Sequence, residues 1–180
     1  MPARTHRLPY PATDEVPQRR YRWYHAAAVG LLANAVSILP AGINGDEAFY
    51  NDLTTPAGSP PDWLFPPAWA FNNVTTLWAN LRVANLPTGT PGRRTALLLE
   101  AGSWTAFAIF NTVYFGLRSP GLGAAVTVGG FALTAASFAA TWRLDRGAAL
   151  AIAPRLAWLG YATYVAVGTA VLNPDPVLGW

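Results

Sequence analysis

The stretch PPDWLFPPAWAFNNVTTLW, residues 60–78, determines the fold expected for the whole chain. Pro66 and Pro67 suit the first turn of a helix, where a missing amide proton costs no hydrogen bond. The apolar pattern then continues to residue 83, and a helix of that length can cross a bilayer. The stretch therefore predicts a rigid, proline-rich lead-in that delivers Trp69 into a membrane-spanning helix.

The composition of the chain favours an integral membrane protein. Hydrophobic residues make up 52% of the 180 residues and charged residues 12%, whereas about 25% is usual for charged residues in soluble domains. All 12 basic residues are arginines, and their position near predicted helix ends is typical of membrane topology rather than of nucleic-acid binding. The lack of cysteine excludes thiol chemistry and covalent haem attachment, and two histidines do not favour a metal site. We predict no catalytic residues and no covalent cofactor.

Five long apolar runs predict an all-α integral membrane bundle of five transmembrane helices. Proline, glycine, asparagine and arginine residues separate the runs and end the helices. A cleaved signal peptide is the alternative for the first run, because Ala33–Asn34–Ala35 resembles a cleavage site, but a long tail precedes it. The predicted spans are residues 23–43, 67–83, 95–117, 122–142 and 150–172.

The distribution of arginine predicts the orientation of this bundle. Ten arginines fall in segments on one side of the predicted membrane, and the other side holds only Arg118. Cytoplasmic segments carry the excess of arginine, so we expect a cytoplasmic N-terminus and an outer C-terminus. Residues 1–21 are then a cytoplasmic tail rich in arginine and proline, residues 22–175 the membrane domain, and residues 176–180 a short outer tail. The expected location is the bacterial cytoplasmic (inner) membrane.

Four stretches of the chain resemble the TspO/MBR family, the tryptophan-rich sensory proteins that include the translocator or peripheral benzodiazepine-receptor proteins. The first has the pattern P-x-W-x-F-x-P-x-W and leads into the second helix. The second stretch is similar to the family's turn between the third and fourth helices. The third stretch is similar to the start of the family's fifth helix, and the fourth to the end of that helix. These stretches are PPDWLFPPAW at 60–69, YFGLRSPGLG at 114–123, APRLAWLGYAT at 153–163 and LN at 172–173.

The resemblance implies a five-helix membrane bundle, commonly dimeric, that binds porphyrins and other flat apolar ligands in a pocket opening beneath the first loop. The residues of the family's pocket wall correspond to two residues on each of the second, third and fifth helices of this chain. The two residues of each pair are about one helical turn apart, which places them on a shared face. The predicted wall consists of Trp69, Asn73, Phe107, Phe110, Trp158 and Ala162.

The chain also departs from the family pattern at several of the matching positions. Phe107 stands where the family usually has asparagine, and Phe110 where it often has tryptophan. On the fifth helix, Arg155 replaces a typical tyrosine and Ala166 a typical asparagine. Fewer polar groups are therefore available to orient a ligand than in a typical member of the family.

Glu100 and Arg155 are the only charged residues well inside the apolar runs. An intramembrane charge is costly unless it is paired or hydrated. Both residues fall near the cytoplasmic ends of their helices, which predicts an ion pair between the third and fifth helices. The alternative for Arg155 is that its side chain extends to the membrane interface.

Two functions remain open on the sequence. The first is a TspO-like protein whose aromatic pocket binds a porphyrin, another tetrapyrrole or a lipid. The second is an accessory subunit of a larger membrane complex, for instance a photosynthetic pigment–protein complex. In that case the protein's own side chains fill the pocket that the family resemblance implies. An enzymatic role would be limited to the porphyrin breakdown attributed to some relatives. The expected partners are membrane lipid and a second copy or a larger membrane complex, and no nucleic acid.

Overall fold

The computed structural model describes residues 20–39 and 47–180, and every regular element in these ranges is helical. A short 3-10 turn, Asp62–Leu64, leads into the third helix, and a π-helical turn, Thr112–Gly116, prolongs the fourth. The prediction of an all-α fold is confirmed for these residues. The helices are α1 (Trp23–Ile38), α2 (Glu47–Asp52), α3 (Phe65–Ala84), α4 (Arg93–Asn111), α5 (Pro120–Trp142) and α6 (Arg146–Leu172).

The helix lengths and compositions fit a membrane bundle. Three helical stretches are long and apolar enough to span a bilayer, namely Arg93–Gly116, Pro120–Trp142 and Arg146–Leu172. Helix α1 is apolar but has 16 residues, and the remainder of its predicted span, residues 40–43, lies outside the described residues. Helix α3 has 20 residues but contains several buried amide and hydroxyl side chains, which lower its hydropathy.

Residues 1–19, most of the predicted cytoplasmic tail, also lie outside the described part of the chain. In the part of the tail that the structure describes, the backbone of Tyr21 forms two hydrogen bonds with the side chain of Asn85. The N–H of Tyr21 donates to Oδ1 over 2.8 Å and its carbonyl accepts from Nδ2 over 2.9 Å. The segment before α1 is therefore attached to the loop after α3.

Polar side chains explain where α5 and α6 begin. The Ser119 Oγ accepts a hydrogen bond from the N–H of Leu122 at 3.1 Å, and Asp145 Oδ1 accepts one from Ala148 at 3.0 Å. Such caps satisfy backbone N–H groups that have no partner inside the helix. Asp145 also forms a 2.7 Å salt bridge with Arg82. The hydrogen bond from Arg82 is the main reason that the pKa of Asp145 lies below its ordinary value.

The five long helices pack in a closed ring. Helix α1 contacts α3 and α4, α3 contacts α6, α6 contacts α5, and α5 contacts α4, while α3 also contacts α4 across the ring. Helices α4 and α6 therefore face each other across the interior instead of packing side by side. Where α3 ends and α4 and α6 begin, small and aliphatic residues form the apolar core: Ala79, Val83, Ala96, Ala148 and Ile152.

Glycine at position 123 allows α5 to pack closely against a tyrosine from the π-helical turn. A Cβ built on Gly123 would overlap Cδ2 of Tyr114 and come within 3.3 Å of two further ring atoms. The Tyr114 ring is buried and stacks on Phe110 with 5.2 Å between ring centroids. An added methyl group therefore has no free space at this position.

We expect Gly123→Ala to lower the free energy of unfolding by about 1–3 kcal/mol, the usual cost of overpacking. The matched control is Gly129→Ala in the same helix, where an added Cβ has nothing within 4 Å. That change should leave stability unchanged or raise it by up to about 1 kcal/mol, because alanine is the better helix former. Thermal unfolding in detergent, followed by circular dichroism, measures both variants. Equal melting temperatures would contradict the prediction.

Candidate functional site

Three aromatic side chains from α3 and α4 meet inside the ring of helices. The Trp69 and Phe107 rings lie 5.0 Å apart between centroids at an angle of 52°. Trp104 contacts Phe107 edge to face at 5.7 Å. We call Trp69, Trp104 and Phe107 the aromatic cluster. Two of its members, Trp69 and Phe107, belong to the pocket wall implied by the family resemblance.

Arg155 extends from α6 across the interior into this aromatic cluster. Its guanidinium carbon lies 4.7 Å from the ring centroid of Trp104, 5.9 Å from that of Phe107 and 6.0 Å from that of Trp69. The Nη2 atom donates a hydrogen bond to the Ser103 carbonyl at 3.2 Å. Because the side chain is only 1% exposed, Arg155 does not reach the membrane interface. The cation–π attraction of three rings partly offsets the cost of burying its charge.

Glu100 does not form the direct ion pair with Arg155 that the sequence predicts. The two residues are buried, but they make neither a hydrogen bond nor an ion pair within 4.0 Å. Both carboxylate oxygens of Glu100 lack hydrogen-bond partners among the described residues. The Arg155 side chain is instead directed at the Ser103 carbonyl and the aromatic rings.

The remaining residues of the predicted wall are distributed around the interior. Trp158 contacts Phe65 edge to face at 5.7 Å, and Phe110 stacks on Tyr114. Asn73 is buried on α3, whereas Ala162 is half-buried one turn after Trp158 on α6. The structure therefore brings Trp69 and Phe107 together and places Trp158 and Phe110 in two separate ring contacts.

An unusual number of buried polar atoms in the interior lack a hydrogen-bond partner among the described residues. A buried donor or acceptor without a partner costs about 1–3 kcal/mol, so such atoms favour binding of a polar group or water. No group of three or more His, Asp or Glu side chains within residues 20–39 and 47–180 could hold a metal ion. The unpartnered atoms are Asn72 Nδ2, Asn73 Oδ1, Thr76 Oγ1, both oxygens of Glu100, Trp104 Nε1, Trp158 Nε1, Nε and Nη1 of Arg155, Arg93 Nε, and the hydroxyl oxygens of Ser137, Thr141 and Thr163.

The segment 54–58 lies along α6 at the end of the bundle where α3 begins. The Tyr161 hydroxyl donates to the Gly58 carbonyl, and the Tyr164 hydroxyl donates to the Ala57 carbonyl at 2.8 Å. Further along α6, the Asn173 side chain bonds to both the N–H and the carbonyl of Thr54, each at 2.8 Å. These contacts hold the segment against α6 beside the Phe65–Trp158 contact.

Arg155 and Trp104 are two residues outside the predicted wall that the structure brings into contact with its members Trp69 and Phe107. Trp104 lies three residues before Phe107, so helical spacing already places both on one face. For Arg155 the sequence signal is a charge nine residues inside an apolar helix. That signal indicates an unusual residue, but it does not indicate that the side chain joins the rings of Trp69, Trp104 and Phe107.

Comparison with known proteins places this arrangement in a family. A sequence profile described as the TspO/MBR family matches residues 25–172. The chain is 26% identical over 147 residues to "Tryptophan-rich protein TspO" of Chlorobaculum tepidum, covering 82% of this chain and 90% of that protein. It is 30% identical over 117 residues to "Tryptophan-rich sensory protein" of Cereibacter sphaeroides, covering 65% and 72%. "Protein CrtK" of Rhodobacter capsulatus is 26% identical over 147 residues, covering 82% and 92%. The chain is thus a membrane protein that belongs to the TspO/MBR family.

Proposed function

We propose that this protein is a five-span membrane protein that binds a tetrapyrrole or a similarly flat, apolar molecule inside its helical bundle. The observation that carries the proposal is that Trp104 and Arg155, which lie in or against the aromatic cluster, keep buried donors without a hydrogen-bond partner among the described residues. Residues 22–175 form the binding domain, with the N-terminus in the cytoplasm, the C-terminus outside, and the chain in the bacterial inner membrane. The arginine distribution supports this orientation.

The chemistry of the interior suits a conjugated ring with a few polar substituents. Indole and phenyl rings provide large contact areas for a flat ligand, and Trp69, Phe107 and Trp158 are the rings we assign to this contact. The indole N–H of Trp158 and the Oδ1 of Asn73 have no hydrogen-bond partner in the described part of the chain, so they can bond to polar atoms of the ligand. Phe110 and Ala162 would complete the wall on α4 and α6.

Binding in this position requires the aromatic cluster to open. With 5.0 Å between the centroids of Trp69 and Phe107 and an angle of 52°, no flat ring fits between them. A ligand would therefore separate α3 from α4 locally, and the fluorescence of Trp69 should report the event.

The proposal is tested by titrating the purified protein in detergent with protoporphyrin IX while tryptophan fluorescence is followed. We expect saturable quenching in the wild type and an affinity about three- to tenfold lower in Trp69→Phe, because the larger indole contact is lost. The matched control is Trp142→Phe, since Trp142 is exposed and packs against Phe138 and Arg146 near the end of α5. Absence of saturable quenching, or equal loss of affinity in both variants, would contradict the proposal.

An accessory subunit of a larger membrane complex is the second candidate, and a row of exposed apolar side chains favours it. Phe71, Val74 and Trp78 are all exposed on α3 at helical spacing, and a partner helix or lipid would cover them. Isolation from the source in mild detergent decides between the two. Recovery only as a single protein or a homodimer would count against the second candidate, whereas co-purification with a pigment–protein complex would support it.

A further inference from the structure

We propose that Arg155 is a carboxylate-binding residue, and that it makes the interior site select ligands that carry a free carboxylate. The inference rests on the proposed function, because it concerns the same site. It adds a chemical requirement that the aromatic rings alone do not impose. A flat apolar molecule without an acid group would still contact the rings, but it would leave the guanidinium without an acceptor.

The burial and hydrogen bonding of Arg155 show a buried positive charge with two nitrogens that lack acceptors, and an anion could bind to both. The side chain is only 1% exposed, yet Nε and Nη1 have no hydrogen-bond acceptor among the described residues. A buried charge is stable only when it is paired and its donors are bonded. The Ser103 carbonyl satisfies one nitrogen, and the three aromatic rings contact the cation without accepting conventional hydrogen bonds. A carboxylate would supply both a negative charge beside the guanidinium and acceptors for Nε and Nη1.

Contacts within the protein hold the guanidinium in place before any ligand arrives. The hydrogen bond to Ser103 attaches it to α4, and the rings of Trp69 and Trp104 lie within 6.0 Å and 4.7 Å of its central carbon. A preorganised guanidinium loses less side-chain freedom when it binds a carboxylate. Charge-assisted hydrogen bonds of this kind are roughly twice as strong as neutral ones.

Glu100 is the acidic side chain of the interior that opposes this role. Its side chain is only 4% exposed, and a carboxylate in the same interior would repel the carboxylate of a ligand. It does not come within 4.0 Å of the guanidinium, and the unpartnered donors of Arg155 therefore remain available. Removing the charge of Glu100 should leave the preference for acidic ligands intact.

The experiment compares protoporphyrin IX, which carries two carboxylates, with its dimethyl ester, which has the same ring and none. In the wild type we expect the acid to bind about tenfold more tightly, the effect of one additional strong ionic contact. The double variant Glu100→Gln/Arg155→Gln removes both interior charges together, so no uncompensated charge is left in the core. The double variant should bind the acid and the ester with equal affinity, so that the preference for the acid is lost.

Two single variants serve as controls, and circular dichroism verifies that every variant folds. Glu100→Gln should keep the preference, and so should Arg94→Gln, because Arg94 is exposed at the start of α4. If neither porphyrin binds to the wild type, the proposed function fails. If both bind equally well to the wild type, or if the double variant keeps the preference, the role of Arg155 is overturned while the proposed function stands.

Discussion

Replacement of Arg155 by methionine is expected to lower the free energy of unfolding by about 1–3 kcal/mol, because a buried hydrogen bond from a charged group and three cation–π contacts are lost. Methionine retains much of the volume of the side chain, so the effect would report mainly the loss of charge. Glu100 would remain buried without a nearby cation, and the hydrogen bond to the Ser103 carbonyl would be lost. The cation–π contacts with Trp69, Trp104 and Phe107 would also disappear.

A double-mutant cycle separates these contributions. If the buried charge of Glu100 causes most of the loss, Glu100→Gln/Arg155→Met should recover part of the stability that Arg155→Met alone removes. Unfolding of the four proteins in detergent with increasing denaturant gives the coupling energy. Strictly additive effects would contradict an electrostatic interaction between the two residues, and a stable Arg155→Met variant would contradict the first prediction.

Asp175→Ala is expected to lower the free energy of unfolding by about 3 kcal/mol, because a buried charged acceptor with several donors is removed. The Asp175 side chain is 1% exposed. It accepts hydrogen bonds from Ser119 Oγ at 2.6 Å, the Gly121 N–H at 2.7 Å, and the N–H groups of Val177 and Leu178 at 2.9 Å. These bonds join the C-terminal segment to the beginning of α5. Asp52→Ala is the control, because Asp52 is exposed.

The same carboxylate should make stability depend on pH. Burial acts to raise the pKa of Asp175, but the hydrogen bonds from Ser119, Leu178, Gly121 and Val177 outweigh it and hold the pKa below its ordinary value of 3.8. A lowered pKa contributes stability above pH 3.8 that is lost as the pH falls through the folded-state value. The stability difference between wild type and Asp175→Ala should therefore be constant near neutral pH and shrink below pH 3.8. A difference that stays constant into this acidic range would contradict the assignment.

The helices of this protein could be predicted from the sequence because their signals are local. The predicted span 122–142 lies within α5, Pro120–Trp142, since Pro120 and Trp142 occur at natural helix ends. Helix α6 begins four residues before the predicted residue 150, because Asp145 caps it through Ala148. The π-helical turn at Thr112–Gly116 has no simple sequence signature, so the sequence indicated an uninterrupted helix.

The site could be predicted only where it depends on one helix or on the family pattern. The resemblance implies one wall that contains Trp69 and Phe107, and in the structure their rings are in contact. The environment of Arg155 depends on the ring order of the helices, which places α4 opposite α6. No spacing within α6 contains that information. The sequence therefore predicted an ion pair with Glu100 where the structure has contacts with aromatic rings and a backbone carbonyl.

The contacts of Thr54 and Pro56 with the end of α6 leave little slack in the chain between these two residues, whereas residues 57–58 form a turn. From Thr54 to Pro56 the chain can extend about 7 Å at most. Thr54 contacts Asn173, directly after the end of α6, and Pro56 lies beside Gly168 within the helix; five residues of helix correspond to a rise of about 7.5 Å. If a residue were deleted between Thr54 and Pro56, one of their contacts with Asn173 and Gly168 would be lost. An inserted residue could bulge outward and leave both contacts in place. Length variation among related proteins should therefore be tolerated here as insertion and not as deletion.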